Sequence, residues 1–202
     1  MRKEKVFETG DIVIESIPGV KCVITPRIAL VSGGKVALLR YKDTNWHYLT
    51  GGKVKHSEAE SVNLLSPAES FHILAREVRE EVDGLDIQPL KDSARFIGLS
   101  EVNAVYESSK TIINHTSPIF MAIIDDHQVG IRSSLENNPN IHMLPVLESP
   151  GEIPVFPDAR FAFNTLLRHR GEPGGFLYDG LYFFQMEPEI GLLFSPPDWF
   201  KP

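Results

Sequence analysis

Apolar and polar positions alternate in two different rhythms along this chain. From Phe71 to Leu85, the apolar residues Phe71, Leu74, Ala75, Val78, Val82 and Leu85 recur at three- and four-residue spacing. That is the stripe of an amphipathic helix. Its start is written as Ser66-Pro67-Ala68-Glu69, a capping box with proline at the first helical position, in which Glu69 reaches back to the backbone N–H of Ser66. Gly84 serves as the C-terminal cap, so the spacing predicts a helix from about Pro67 to Val82. A second helix is predicted from Pro157-Asp158 to about Arg170, where Gly171 and Pro173 stop it.

Elsewhere the rhythm is that of strands. Lys21 to Val31 and Lys35 to Tyr41 flank Gly33-Gly34 as a hairpin would. Arg95 to Tyr106 alternates over a long stretch, Ser108-Ser109-Lys110 reads as a turn, and Ile119 to Ile124 is a short apolar run. His142 to Leu147 reads as another short strand, and the polar stretch Asp125 to Asn140 as a loop. Trp46-His47-Tyr48-Leu49-Thr50-Gly51-Gly52-Lys53-Val54 looks like a strand end running into a glycine turn, where a carbonyl can be aimed at an ion. Strands surrounding two helices imply an α/β (α+β) fold, a mixed sheet with a helix on each face.

The polar face of the first helix carries the candidate chemistry. In Arg76-Glu77-Val78-Arg79-Glu80-Glu81-Val82, Glu80 and Glu81 sit one turn beyond Glu77. The three carboxylates are expected to converge, Glu77 and Glu81 beside the apolar stripe and Glu80 farther round, with Arg76, Arg79 and His72 on the other side. Such like-charge pairs are unfavourable by about 0.2–0.5 kcal/mol each, and the negative end of the helix macrodipole adds to the strain. A divalent cation relieves it, because hard cations take carboxylate oxygens. The competing reading is a solvated helix with Arg–Glu pairs, and the heptad alone favours that reading.

Taken together, the glycine turn and the acidic helix resemble the Nudix hydrolase family. Its box runs Gly, five residues, Glu, seven residues, then Arg-Glu-apolar-any-Glu-Glu-any-Gly-apolar. Gly52 through Glu58 fits the first half, and Arg76 through Glu81 fits the core of the second. Two departures stand out. Seventeen residues, Ala59 to Ala75, separate Glu58 from Arg76 where the family has seven, an insertion of ten. Asp83 stands where the box glycine belongs, with Gly84 one residue late.

The resemblance implies a Nudix-like mixed sheet sandwiched between helices, and metal-dependent hydrolysis of a diphosphate bond in a nucleoside diphosphate linked to another group. It implies Mg2+ or Mn2+ held by Glu77, Glu80 and Glu81, with a backbone carbonyl of Gly51 or Gly52 as a further ligand and Arg76 orienting a glutamate. Trp46, Tyr48, Arg27 and Glu58 are candidate substrate contacts, although core packing is the plainer role for the two aromatics and the insertion loosens the placement of Glu58. The general base comes from the cluster itself or from Glu101, Glu107, Glu136 or Glu148. A non-catalytic nucleotide-binding or regulatory module on the same fold is the alternative.

Composition narrows the function classes. The 202 residues support one domain, read as an N-terminal extension (1–20), a Nudix-like domain (21–170) and a C-terminal extension (171–202). A net charge of −7 argues against nonspecific nucleic-acid binding, while a small nucleotide remains compatible through bound metal. No apolar run approaches the roughly 20 residues of a membrane span, and no signal-peptide h-region follows the N-terminus, so a cytoplasmic protein is expected. Cys22 is the only cysteine and reads as a small core residue. Histidine pairs of zinc spacing, a P-loop and a Gly-x-Ser-x-Gly element are all missing. The aromatic tail, Phe176 to Phe200, fits equally a hairpin completing the domain or a homodimer interface.

Overall fold

The computed structural model describes residues 11, 13–17, 20–41, 44–59, 67–146, 153–169, 183–187, 189–193 and 197–199. The predicted Ser66 cap, most of the insertion, Glu148 and residues 176–182 of the aromatic tail lie outside these residues.

The described chain forms a mixed 11-stranded sheet. Its strands are β1 (Ile14–Ile17), β2 (Val20–Ile24), β3 (Arg27–Ser32), β4 (Lys35–Arg40), β5 (His47–Tyr48), β6 (Thr50–Gly51), β7 (Arg95–Tyr106), β8 (Thr111–Ile124), β9 (Ile141–Pro145), β10 (Phe183–Glu187) and β11 (Gly191–Leu193). The helices are α1 (His56–Ala59), α2 (Pro67–Glu81), α3 (Val129–Asn137) and α4 (Pro157–His169). The main path runs β11-β10-β7-β8-β3-β4-β5, with β2 also on β8, β6 on β3 and β9 on β4.

Strand alternation sorts the core into two layers, because successive side chains point to opposite faces. Ile28, Leu30, Ala37, Leu39, Phe120 and Ala122 face α2, where Phe71, Leu74, Ala75, Val78 and Val82 meet them. Ala29, Val36, Leu38, Ile119 and Met121 face the other way and pack on Ala159, Ala162, Phe163 and Leu166 of α4. Both faces of the central strands are covered, which explains why Ile28–Val31 and Val36–Leu39 are continuously apolar.

Several expectations were refined. The stretch from Lys21 to Val31 is two strands, interrupted at Thr25-Pro26, where proline cannot donate to the ladder. Both are parallel to β8, which at 14 residues is much longer than the apolar run Ile119–Ile124 suggested. Asp125 to Asn140 is not a plain loop. Ile131 and Leu135, one turn apart, are buried and fold Val129–Asn137 into a helix. Cys22 is half-buried rather than a core residue. The end of α2 behaves as expected: Asp83 and Gly84 have φ of 41° and 79°, and the Gly84 N–H donates to the Arg79 carbonyl at 2.9 Å, a Schellman closure. Gly33 and Gly34 have φ of 54° and 74° in a two-residue hairpin loop.

The long strand β7 carries a bulge between Phe96 and Gly98. A Cβ on Gly98 would lie 2.6 Å from the Phe161 ring of α4. Gly98→Ala is therefore expected to lower stability by about 1–3 kcal/mol through overpacking, read as a fall in the urea midpoint at unchanged slope. An unchanged midpoint would mean that α4 shifts without penalty.

Candidate active site

The site is built where the β6 glycine turn meets the polar edge of α2. Gly51 has φ of 142°, and a Cβ there would lie 2.1 Å from the Pro26 carbonyl oxygen. A Cβ on Gly52 would lie 2.2 Å from the Glu77 carboxyl group. The paired glycines thus let backbone come against both β3 and an acidic side chain, a closeness that no other residue type permits.

Glu81 is clamped by this turn. Its Oε1 accepts from the Tyr48 hydroxyl at 3.1 Å and its Oε2 from the Gly51 N–H at 3.1 Å. Burial raises its pKa to about 7, against the opposing pull of Arg27 and the Gly51 N–H, and the Glu77 charge adds to the rise. Glu77 is also raised by burial, although Arg76 draws it down. Burial and the Glu81 charge push the Tyr48 phenol well above its usual range, so it remains a donor.

Among the described residues, the three carboxylates line one cavity but are not arranged around a single metal position. Nor does Arg76 lie on the far side of the helix: it curls back among the acids. Its Nε meets Glu58 Oε1 at 2.8 Å and its Nη2 meets Glu58 Oε2 at 3.3 Å, while its Nη1 lies 2.7 Å from Glu77 and 3.4 Å from Glu80. Glu58 also accepts from the Lys55 N–H at 2.9 Å. Burial alone would raise its pKa, but the Arg76 and Lys55 hydrogen bonds hold it below the usual carboxylate range. Glu58 is therefore turned toward Arg76 and away from the cavity, contrary to its expected place as a substrate contact. Glu80 is the outermost of the acids, with a side chain 57% exposed.

The glycine turn and the polar edge of α2 border a cavity of about 330 Å³. Arg27, Tyr48, Gly51, Gly52, Arg76, Glu77, Glu80 and Glu81 all line it. Trp46 does not; it packs edge-on against Phe156 and Phe184 at 5.7 and 5.1 Å. Glu101, Glu107 and Glu136 are likewise away from the cavity lining. Glu101 accepts from Asn114, and Glu107 serves the turn after β7.

Arg27 links the site to α4. Its Nη1 donates to the Leu49 carbonyl at 3.2 Å and to the Gly51 carbonyl, and its Nε lies 3.2 Å from Asp158. The guanidinium also sits 5.9 Å from the Tyr48 ring centroid. Burial raises the Asp158 pKa even with Arg27 opposing. Sequence reasoning missed Asp158, His115, Thr25, Ser117, Lys53 and Asp11, all of which line the cavity. Lys53 pairs with Asp11 at 3.4 Å. Their positions, on strands, in loops and in the first turn of α4, carry no spacing that marks them.

The donor chemistry fits a hard divalent cation. Three carboxylates lie on one helical turn, and burial raises the pKa of two of them, a penalty that bound positive charge would offset. Among the described residues, no three His, Cys, Asp or Glu side chains are already arranged around one metal position. Arg76 supplies the positive charge beside Glu77 and Glu80 instead.

Comparison with solved structures places this architecture. The MutT mutator protein of Bacillus halodurans superposes over 85% of this chain and 94% of its own, with a TM-score of 0.53 at 19% identity. The chain has the Nudix fold. Two further matches are more distant: a MutT Nudix hydrolase of Burkholderia pseudomallei (16% identity, 72% and 98% of the two chains, TM-score 0.39) and an ADP-ribose pyrophosphatase of Streptococcus suis (14%, 78% and 98%, TM-score 0.41). No family model and no curated protein matches the sequence. Within the Nudix fold of this chain, the acidic helix is α2 and the glycine turn is β6 with Gly52. No helix among the described residues is long and apolar enough to cross a membrane.

Proposed function

We propose that this protein is a metal-dependent hydrolase of a diphosphate bond in a nucleoside diphosphate linked to another group. The observation that carries the reading is the pair Glu77 and Glu81, buried against Gly52 and Gly51 at the wall of a cavity that Arg27 also enters. Glu77, Glu80 and Glu81 would hold Mg2+ or Mn2+. When bound, the ion supplies charge neutralisation at the bridging phosphates and acidifies a water.

The chain's own residues do the rest. Tyr48 and the Gly51 N–H fix the Glu81 carboxylate, whose raised pKa suits it to accept a proton from the attacking water. The water oxygen bonds to one phosphorus as the bridging P–O bond breaks, and two phosphate-ended products leave. Arg76 holds Glu77 and Glu80 in place, and Arg27 presents a cation to the phosphates while holding the Gly51 carbonyl.

One observation favours the alternative of a non-catalytic nucleotide-binding module: Arg76 already neutralises Glu77 and Glu80. The deciding experiment is phosphate or nucleotide release from a panel of diphosphate compounds with Mg2+, with Mn2+ and with chelator. Cleavage that disappears with chelator is expected. No turnover across the panel, with nucleotide binding still seen by calorimetry, would favour the module.

A further inference from the structure

The segment after α4 returns to the site. β10 lies parallel to β7, with Phe183 opposite Asn103 and Phe184 opposite Ala104. Phe184 and Met186 both line the cavity, and the β10–β7 pairing shifts register between Gln185 and Glu187. Phe183 takes the other face, where it packs with Leu193 and Trp199 over Val20, Val105 and Ile112. The Trp199 indole donates to Glu107 at 2.6 Å, which ties this part of the chain to the turn after β7.

Phe184 is only 2% exposed, wedged edge-on against Trp46 and tilted against Phe156, each at 5.1 Å. It is a rigid backing. Met186 is more open and packs beside Ala104 and Tyr106. Thr25, between β2 and β3, and His115 and Ser117 of β8 give the cavity lining polar groups that carry no charge. The Thr25 and Ser117 hydroxyls bond each other at 2.7 Å. Burial, with Arg27 and Lys53 nearby, holds the His115 pKa down to about 3, so its imidazole is neutral and offers one donor and one acceptor. The cavity thus carries charge at α2, at Arg27 and Asp158 and at the Lys53–Asp11 pair, while the side chains that β10 gives it are a ring and a thioether. A charged group placed against Phe184 and Met186 would be desolvated with no charged partner from β10. A flat heterocycle can lay its apolar face against the ring and thioether there without burying a charge.

We propose that β10 forms the wall of a subsite for a planar, uncharged heterocycle attached to the diphosphate, with Met186 as the specificity-determining contact and Phe184 as its backing. The diphosphate end of this ligand rests on the hydrolase reading above. The test compares kcat and KM for nucleoside diphosphate sugars with those for methyl diphosphate, which has no ring. Met186→Ala is expected to raise KM for the ring-bearing substrates about tenfold, with kcat within about twofold and methyl diphosphate unaffected. Met186→Leu should restore most of the loss, and Phe184→Leu should behave like Met186→Ala. Equal effects on both substrate kinds, or none, would overturn the proposal.

Calorimetric titration with ADP, GDP, CDP and UDP separates this result from catalysis. A Kd about tenfold weaker in Met186→Ala, at an unchanged melting temperature, supports the wall even if the wild type cleaves nothing; only the hydrolase reading then falls. Turnover by the wild type with no change of Kd in Met186→Ala overturns the wall and leaves the hydrolase reading standing.

Discussion

Glu81→Gln is expected to remove most turnover and yet make the metal-free protein more stable above pH 7. The activity loss should be about 10²- to 10⁴-fold in kcat, the usual effect of deleting a positioned acid–base group. The stability gain follows from linkage. The Glu81 pKa is raised from an ordinary 4.5 to about 7, so the unfolded chain releases this proton near pH 4.5 while the folded chain keeps it until about 7. Between those values the native state binds more protons, and stability falls as pH rises. Above pH 7 the full penalty, about 3 kcal/mol, is in force. Glutamine has no charge to desolvate, but its amide nitrogen accepts nothing, so its single oxygen cannot replace the two that accept from Tyr48 and the Gly51 N–H. One lost hydrogen bond returns about 1 kcal/mol, leaving a net gain of about 2 kcal/mol at pH 8. Thermal melts from pH 5 to 9 check this: the wild type should lose stability between pH 4.5 and 7, and the variant should lose much less. Glu77, also raised, leaves a residual slope. Parallel curves for the two proteins would refute the assignment of Glu81 as the buried carboxylate of the site.

Arg76→Ala is expected to be the most destabilising substitution in the site. One guanidinium serves Glu58, Glu77 and Glu80, and the Glu58 and Glu77 side chains are only 13% and 14% exposed. Removing the cation strands two largely buried carboxylates. Breaking a buried pair in this way costs roughly 3–5 kcal/mol, and the residual exposure here puts the expected loss near 3 kcal/mol. The loss should shrink at pH 5, where the released Glu58 and Glu77 can take up protons, and grow at pH 8. Activity should fall as well, because Glu77 loses the contact that holds it beside Gly52. Arg76→Lys should recover little, since one ammonium cannot replace the two-pronged contact with Glu58. Urea unfolding at pH 5 and pH 8 measures the effect. A loss below about 1 kcal/mol at both pH values would reduce this cluster to a solvated surface network.

The legible part of the fold was the part coded by local periodicity. The stripe Phe71 to Val82 repeats with the helix, and Gly84 closes it through its own backbone freedom. The pair Gly33-Gly34 sets a hairpin with only two residues in the loop. The Asp125–Asn140 stretch was misread because its apolar residues are sparse; Ile131 and Leu135 make a helix only because a core already exists for them to enter. The candidate site divides in the same way. Gly52, Glu77 and Glu81 are marked by spacing, whereas Asp158, His115 and Met186 come from α4, β8 and β10, whose shared cavity is created by long-range pairing. The placement of Glu58 was misjudged because spacing says nothing about a guanidinium reaching across from the next helix.

By itself, then, the sequence determined the helices with strong stripes, most strands, the glycine turn and the identity of the acidic cluster, because each depends on residues within a few positions of one another. Tertiary structure decided which carboxylates are buried, where Arg76 spends its charge, and that the C-terminal strand lines the cavity. Those outcomes depend on desolvation and on contacts between residues tens of positions apart. No local pattern carries either quantity, since both exist only once the sheet has assembled.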